Sequence, residues 1–445
     1  MTVPGSLFPG SRCLRSSTYP WKTTLLCVAA TVPGAMAQSV LAPPPAAPPL
    51  VPPAVEEYQT NQASQMQVFS PTPPSQGESQ PFKCGPVVFR PQLSYQLICG
   101  SGIESGPGSP QNTIVQQFSP GMIFDIGSHW TLDYTPTLSF YSSSQFRDTV
   151  DHSAMLQWGT AFHDWFVTAS QSYAKTSEPQ LETAAQTDQQ TYITALNATY
   201  QFNDRLSAAI GLNQDLNYFG QGSTNLLLGL SNSRAWSTMD WLYDQFWSRF
   251  NAGIGVGIGY NQQVGSPDSW YQQYEASVSW RLTDKISFQV NGGLEDLQYL
   301  SSVSSDLLTP IFGATLQYQP FDQTKFSVSA TRTVASSYYE NEAIEATSIN
   351  GDFNQRLFGG ISLDLNGGYT TSSYVATIIG LSTGRNDNSY SFNVRLTCPF
   401  PKRGTVAIFY QYSSNSSSQT GFAASDSSAF SYSSSQYGFD ISYNY

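Results

Sequence analysis

The residues best suited to proton transfer are His129, His152 and His163, the only histidines in 445 residues. His129 and His163 each stand beside an aromatic residue at a turn, and His152 stands at the loop end of a strand. That setting suits a solvated or interfacial imidazole rather than a general base. Serine is abundant, but no motif sets one serine against a histidine and an aspartate as acyl transfer requires. Cys84, Cys99 and Cys398 follow the N-terminal leader, and none forms a CxxC or a Cys/His pattern, so no metal is expected. Cys84 and Cys99 either pair or serve as small apolar fillers. The run Gly253-Ile254-Gly255-Val256-Gly257-Ile258-Gly259-Tyr260 superficially resembles a dinucleotide loop. Its period is two and no helix pattern follows it, so it reads as a strand with an uncrowded face that side chains from elsewhere can approach. The sequence therefore points away from an enzyme, and no cofactor is expected.

Charge offers different chemistry. Parity along alternating segments places Asp215, Asp240, Glu275, Arg281, Asp364, Arg395 and Asp440 on the face opposite the large apolar residues. Around a water-filled lumen such charges would line a pore and tune its selectivity, or else pair with one another across the wall. Glu178, Glu182, Glu340, Glu342 and Glu345 add acidity to the loops.

The elements that must hold these residues are strands. From about residue 86 to the end, apolar and polar residues alternate in long segments, for example Thr194, Leu196, Ala198, Tyr200 and Phe202, or Tyr274, Ala276, Val278, Trp280 and Leu282. The opposite faces are Ser, Thr, Asn, Gln and Gly. Segments of ten residues or more suit tilted membrane spans better than ordinary soluble strands. Eight short turns recur, near 125–128, 162–164, 203–205, 244–246, 283–285, 319–322, 354–356 and 399–403. Longer polar connections at 100–111, 175–190, 220–231, 371–388 and 413–428 alternate with them. Eight turns predict a closed antiparallel transmembrane β-barrel of about 18 strands, with 16 as the fallback, short turns periplasmic and long loops extracellular. Trp130, Trp158, Trp165, Trp236, Trp241, Trp247, Trp270 and Trp280 are all expected near strand ends, as an interfacial girdle.

Composition agrees. Only 11% of residues are charged and 14% are aromatic, which excludes disorder for most of the chain. No run of 18 apolar residues follows the leader, so helical spans are not expected. A formal charge of -12 argues against nucleic acid as a partner. Residues 1–37 read as a signal peptide, with Arg12, Arg15 and Lys22 before the run Leu25–Val32 and a small-residue site at Ala35-Met36-Ala37. Residues 38–85 read as a Pro/Gln/Ser-rich disordered periplasmic segment, and 86–445 as the barrel.

The chain closes on Tyr437-Gly438-Phe439-Asp440-Ile441-Ser442-Tyr443-Asn444-Tyr445, an alternating strand expected to pair with the first, near Val87–Ile98. With Ala35-Met36-Ala37 and the turn-and-loop alternation, this ending resembles bacterial outer-membrane β-barrel proteins. Gly438, Phe439, Ile441, Tyr443 and Tyr445 resemble the signal read by the barrel-assembly machinery. The texture of 86–445 resembles the putative β-barrel porin family. The resemblance implies the bacterial outer membrane, lipid and the assembly machinery as partners, and passive or export-linked transport. The leading expectation is a porin-like channel for passive diffusion of small hydrophilic solutes. A barrel for polysaccharide export and a structural or adhesive surface barrel stand as alternatives, and a homo-oligomer is left open.

Overall fold

The computed structural model describes residues 82–444, apart from 107, 181–182, 184, 221–229, 302–303, 305, 379–382, 401–402 and 422–429. The readings of residues 1–37 as a signal peptide and of 38–81 as a disordered segment, and those of Glu182 and Tyr445, lie outside the described residues.

Strands dominate. β1 (Phe82–Cys84) is a stub folded back on β2 (Val87–Glu104). The chain then runs through β3 (Pro110–Ile126), β4 (Trp130–Tyr141), β5 (Thr149–Phe162) and β6 (Trp165–Thr176). A small ribbon, β7 (Pro179–Gln180) with β8 (Ala185–Gln186), sits in the next loop. β9 (Gln189–Gln201), β10 (Leu206–Phe219), β11 (Ser233–Trp247), β12 (Phe250–Gln263), β13 (Ser269–Arg281) and β14 (Ile286–Tyr299) follow. β15 (Leu307–Phe321), β16 (Thr324–Ser336), β17 (Glu342–Arg356), β18 (Ser362–Ala376), β19 (Thr383–Phe400), β20 (Gly404–Gly421) and β21 (Tyr432–Asn444) complete the order.

β2 to β6 and β9 to β21 are the eighteen wall strands; each pairs antiparallel with its neighbours in sequence. The seam closes where β2 pairs with β21, from Gln92 opposite Asn444 to Ser101 opposite Ser435. Closure removes both sheet edges, so every wall strand has a ladder on each side. Gly438 is required at this seam, because a Cβ there would lie 1.9 Å from the Leu97 carbonyl oxygen.

The turns are local chemistry. In the turn between β5 and β6, His163 takes a positive φ of 52°, the conformation tight hairpins need. Asn203 Oδ1 accepts the backbone N–H of Arg205 and of Leu206, at 2.8 and 2.9 Å, closing the turn into β10. All eight short turns are present, with two displaced. The β11–β12 turn falls at Ser248–Arg249, after a register slip between Asp244 and Trp247. The β17–β18 turn takes in the 3-10 segment Phe358–Gly360. The loops are shorter than expected, because β2, β3, β18, β19 and β20 run on into segments read as loop. Residues 82–85, expected in the disordered segment, form β1 and its turn.

Cys84 lies opposite Val87 at the turn end of β2, while Cys99 lies twelve residues further along that strand. At ~3.3 Å per residue they are about 40 Å apart, so they cannot bridge.

The outer surface is apolar. Ile254, Val256 and Ile258 are 67%, 47% and 51% exposed, while Gly255, Gly257 and Gly259 between and beyond them face inward. Two aromatic girdles bound this belt. Trp165 lies against Tyr200 at the turn end of β6 and β9, and Tyr173 against Tyr192 toward the loop end, each pair 4.9 Å between centroids. The girdles are eight residues apart on each strand, or about 20 Å in height once tilt is allowed for. Trp130–Trp158 and Phe250–Trp280 continue the lower girdle; Trp236–Tyr260 and Tyr369–Tyr390 continue the upper. An apolar belt between aromatic girdles on a closed barrel is the outer surface of a transmembrane barrel.

Candidate functional site: the inward hairpin and the charged inner wall

At most strand tips the ladder simply frays into loop. β16 and β17 behave otherwise. The β15–β16 ladder ends at Phe312 opposite Arg332, although β15 continues to Leu307 on β14. β16 continues to Ser336, paired only with β17. At the tip β16 has therefore parted from β15, while β17 stays paired with β18 as far as Glu342 opposite Ala376. The tip's residues explain the direction it takes. Val334, Ala343, Ile344 and Ala346 are buried apolar side chains at a height where a solvated extension would be polar. Val334 packs on Tyr271 and Leu297, which face inward from β13 and β14.

The connecting loop, 337–341, reaches across the mouth toward β9–β12. Ser231 N donates to the Tyr338 carbonyl at 2.9 Å. Gln263 Nε2 donates to the Ser337 and Tyr339 carbonyls at 2.7 and 3.2 Å. Asn341 N donates to Ser266 Oγ at 2.7 Å, and Asn261 Nδ2 donates to Ser336 Oγ. The Tyr338 ring packs edge-on against Phe219 at 5.0 Å and touches Leu230, while its hydroxyl accepts from Gln189 Nε2 at 3.4 Å. Tyr339 meets Phe430 at 6.3 Å. The tip thus forms a bar across the mouth.

Beneath it the inner wall is polar. Of the expected pore-lining residues, Asp215, Glu275, Arg281, Asp364, Arg395 and Asp440 fall on the inner face. Arg395 and Asp440 form an ion pair at 2.6 Å, with Asp440 wholly buried, and Asp364 stands opposite Arg395 in register. Asp215 accepts from Asn217 Nδ2 at 2.9 Å and Glu275 from Asn291 Nδ2 at 2.7 Å.

Asp240 is the correction. It is exposed on the outer face, opposite Ile210 and Val256. Trp241 is corrected with it: this indole is 3% exposed and points inward, stacked on Tyr243 at 5.4 Å. The cause is the glycine run of β12. Gly253, Gly255 and Gly257 lie opposite Tyr243, Trp241 and Met239. The three side chains lie where a Cβ on those glycines would stand, within 2.3 to 2.9 Å of it. Trp130, Trp158, Trp165, Trp236, Trp247, Trp270 and Trp280 lie at or near strand ends as expected.

Other inner-wall groups follow from the same parity. Glu295 accepts from Gln273 at 2.9 Å, Asp352 from Ser327 at 3.0 Å and Asp133 from Gln92 at 3.2 Å. Arg90 pairs with Asp125 at 2.8 Å. Arg385, paired to Asp387, lies over the Tyr374 and Phe430 rings at 4.4 and 3.9 Å. Several carboxyls are thus held by amides or hydroxyls rather than by cations. Of the acidic residues expected in loops, Glu178 is in one and accepts from Gln117, whereas Glu342 and Glu345 lie on β17, where Glu345 pairs with Arg332 on β16. Arg147 pairs with Asp188, and this hydrogen bond raises the guanidinium pKa.

No family model matches the chain, and no curated protein matches it. The solved structures it is similar to include three from Pseudomonas aeruginosa. OpdO superposes with a TM-score of 0.44 at 10% identity, over 80% of this chain and 97% of that one. OpdL gives 0.40 at 13%, over 81% and 99%, and OpdQ gives 0.41 at 11%, over 81% and 97%.

Proposed function

We propose that the protein is an outer-membrane channel for passive diffusion of small hydrophilic solutes. One observation carries this reading: a closed barrel of eighteen strands whose inner wall is polar and whose outer belt is apolar. A barrel of 16–18 strands is wide enough to enclose water, and the polar inner face favours filling it. The inward hairpin narrows the mouth, which favours small solutes over a bulky polysaccharide chain. The excess of inner-wall carboxyls without a cationic partner favours cationic and neutral solutes over anions. The closing strand β21, with its outward Phe439, Ile441 and Tyr443, is the segment offered to the assembly machinery.

Purified protein in a planar bilayer tests this. Stepwise conductance is expected, with a reversal potential of cation-selective sign under a salt gradient. Folded protein that inserts without conducting would overturn the channel reading.

A further inference from the structure

Asp240 sits in the belt, four residues below Trp236 and six above Phe246 on β11. Its outer-face neighbours Ile210, Leu212, Val256 and Ile258 are each about half exposed. Its described hydrogen bond comes from Thr238 Oγ1 at 3.1 Å, and no ion pair involves it among the described residues. Lipid tails offer a carboxyl group no donor. The inward packing of Met239, Trp241 and Tyr243 over the glycines leaves Asp240 no other face.

Asp240 belongs to a larger polar strip. On the same outer surface Thr194 Oγ1 donates to Gln171 Oε1 at 2.7 Å and to Gln214 Oε1 at 3.3 Å. The strip therefore crosses four adjacent strands: Gln171 on β6, Thr194 on β9, Gln214 on β10, and Thr238 with Asp240 on β11. Height decides what it can meet. Followed along the register, a row starting at Phe162, the turn end of β5, climbs to Ser416 near the loop end of β20. It gains about one residue of height per strand, as tilted barrel strands must. The row through Gln171, Thr194 and Gln214 arrives at Trp236, four residues above Asp240. Gln171 and Asp240 are thus at nearly equal height, at opposite ends of the strip.

We infer that β6–β11 is an isologous interface with a second copy of this chain, on a twofold axis along the membrane normal between β9 and β10. That axis sets Asp240 of each copy opposite the Gln171 amide of the other, a donor facing an acceptor at both ends. Nearer the axis, Thr194 of each copy faces Gln214 of the other. The Gln171 amide also donates to the Ser172 and Ile193 carbonyls at 3.2 and 3.3 Å, whereas lipid would leave the Asp240 carboxylate with the Thr238 hydroxyl alone. The inference rests on the membrane-spanning reading and not on conductance.

The test uses full-length protein. Native mass spectrometry in lipid nanodiscs should find a dimer, and Asp240→Leu should weaken it by about tenfold or more. Heat-modifiable migration on electrophoresis confirms that the variant is folded and membrane-inserted. Independently, with Cys84, Cys99 and Cys398 replaced by serine, Thr194→Cys should form a covalent dimer in isolated membranes. Val328→Cys, on the outer face of β16, should not. A wild-type monomer in nanodiscs would overturn the interface, as would cross-linking through position 328 in preference to 194, whatever Asp240→Leu does to folding. Failure of wild-type protein to insert in membranes would instead remove the reading on which the inference stands.

Discussion

Tyr338→Ala separates the hairpin from the wall. Tyr338 is 3% exposed and packs edge-on to Phe219 and against Leu230. Truncating a buried aromatic costs about 3–5 kcal/mol. Losing the hydroxyl's bond from Gln189 adds about 0.5–1.5 kcal/mol. The wall ladders do not include Tyr338, so this loss falls on docked against undocked hairpin rather than on the barrel. A loss of ~3 kcal/mol changes that equilibrium by about a hundredfold. Single-channel recording should show larger mean conductance and frequent transitions between two levels. Tyr338→Phe keeps the ring and should lie close to wild type. Folded Tyr338→Ala with wild-type conductance and noise would refute the bar as a constriction.

Three further outcomes are expected. Arg395→Leu leaves the buried carboxyl of Asp440 without its cation and should cost about 3–5 kcal/mol; in denaturant titrations in micelles, the double variant with Asp440→Leu should recover much of that loss. Burial works against the charged form of Asp188, but hydrogen bonds from Arg147 and Ser177 outweigh it and hold the carboxyl below its ordinary range. A depressed carboxyl contributes stability above its unfolded pKa, ~3.9, and loses it as pH falls through the folded value. Hydrogen exchange of residues 185–190, corrected for intrinsic rates, should therefore be flat from about pH 8 to 5 and rise only below about 4. Tyr443→Ala combined with Ile441→Ala, which strips the outward face of β21, should block membrane insertion, and fractionation showing normal insertion would refute β21 as the segment read during assembly.

Alternation, turn chemistry and parity made the barrel, its strand number and six of the seven inner-wall charges legible. These depend on local patterns that a closed sheet must obey. The inward hairpin was not legible as such, since Ser337-Tyr338-Tyr339-Glu340-Asn341 reads as an ordinary polar loop. A signal was nevertheless present. Val334, Ile344 and Ala346 are apolar at strand tips, where projecting hairpins should be wet. Asp240 and Trp241 failed together, because parity within one strand is a single choice. Adjacent residues exchange faces as a pair, and girdle expectations put Trp241 on the wrong one. What set the choice lay in the next strand, where the glycines of β12 demand bulky partners.

If Trp241 fills the space over Gly255, a side chain at 255 must collide with it; the Cβ alone would lie 2.7 Å from Trp241 Cδ2. Gly255→Met should then overpack at a cost of about 1–3 kcal/mol, and Trp241→Ala should leave a cavity costing about 3–5 kcal/mol. Combined, the methionine occupies what the indole vacates, so the double variant should be more stable than the sum by well over ~1 kcal/mol. Were Trp241 on the outer face, the two changes would lie on opposite sides of the wall, share no volume, and add within about 0.5 kcal/mol. The sign and size of this coupling, read from denaturant midpoints of refolded protein in micelles, therefore report which way β11 faces. An additive result would return Asp240 to the lumen and remove the polar strip's outermost member.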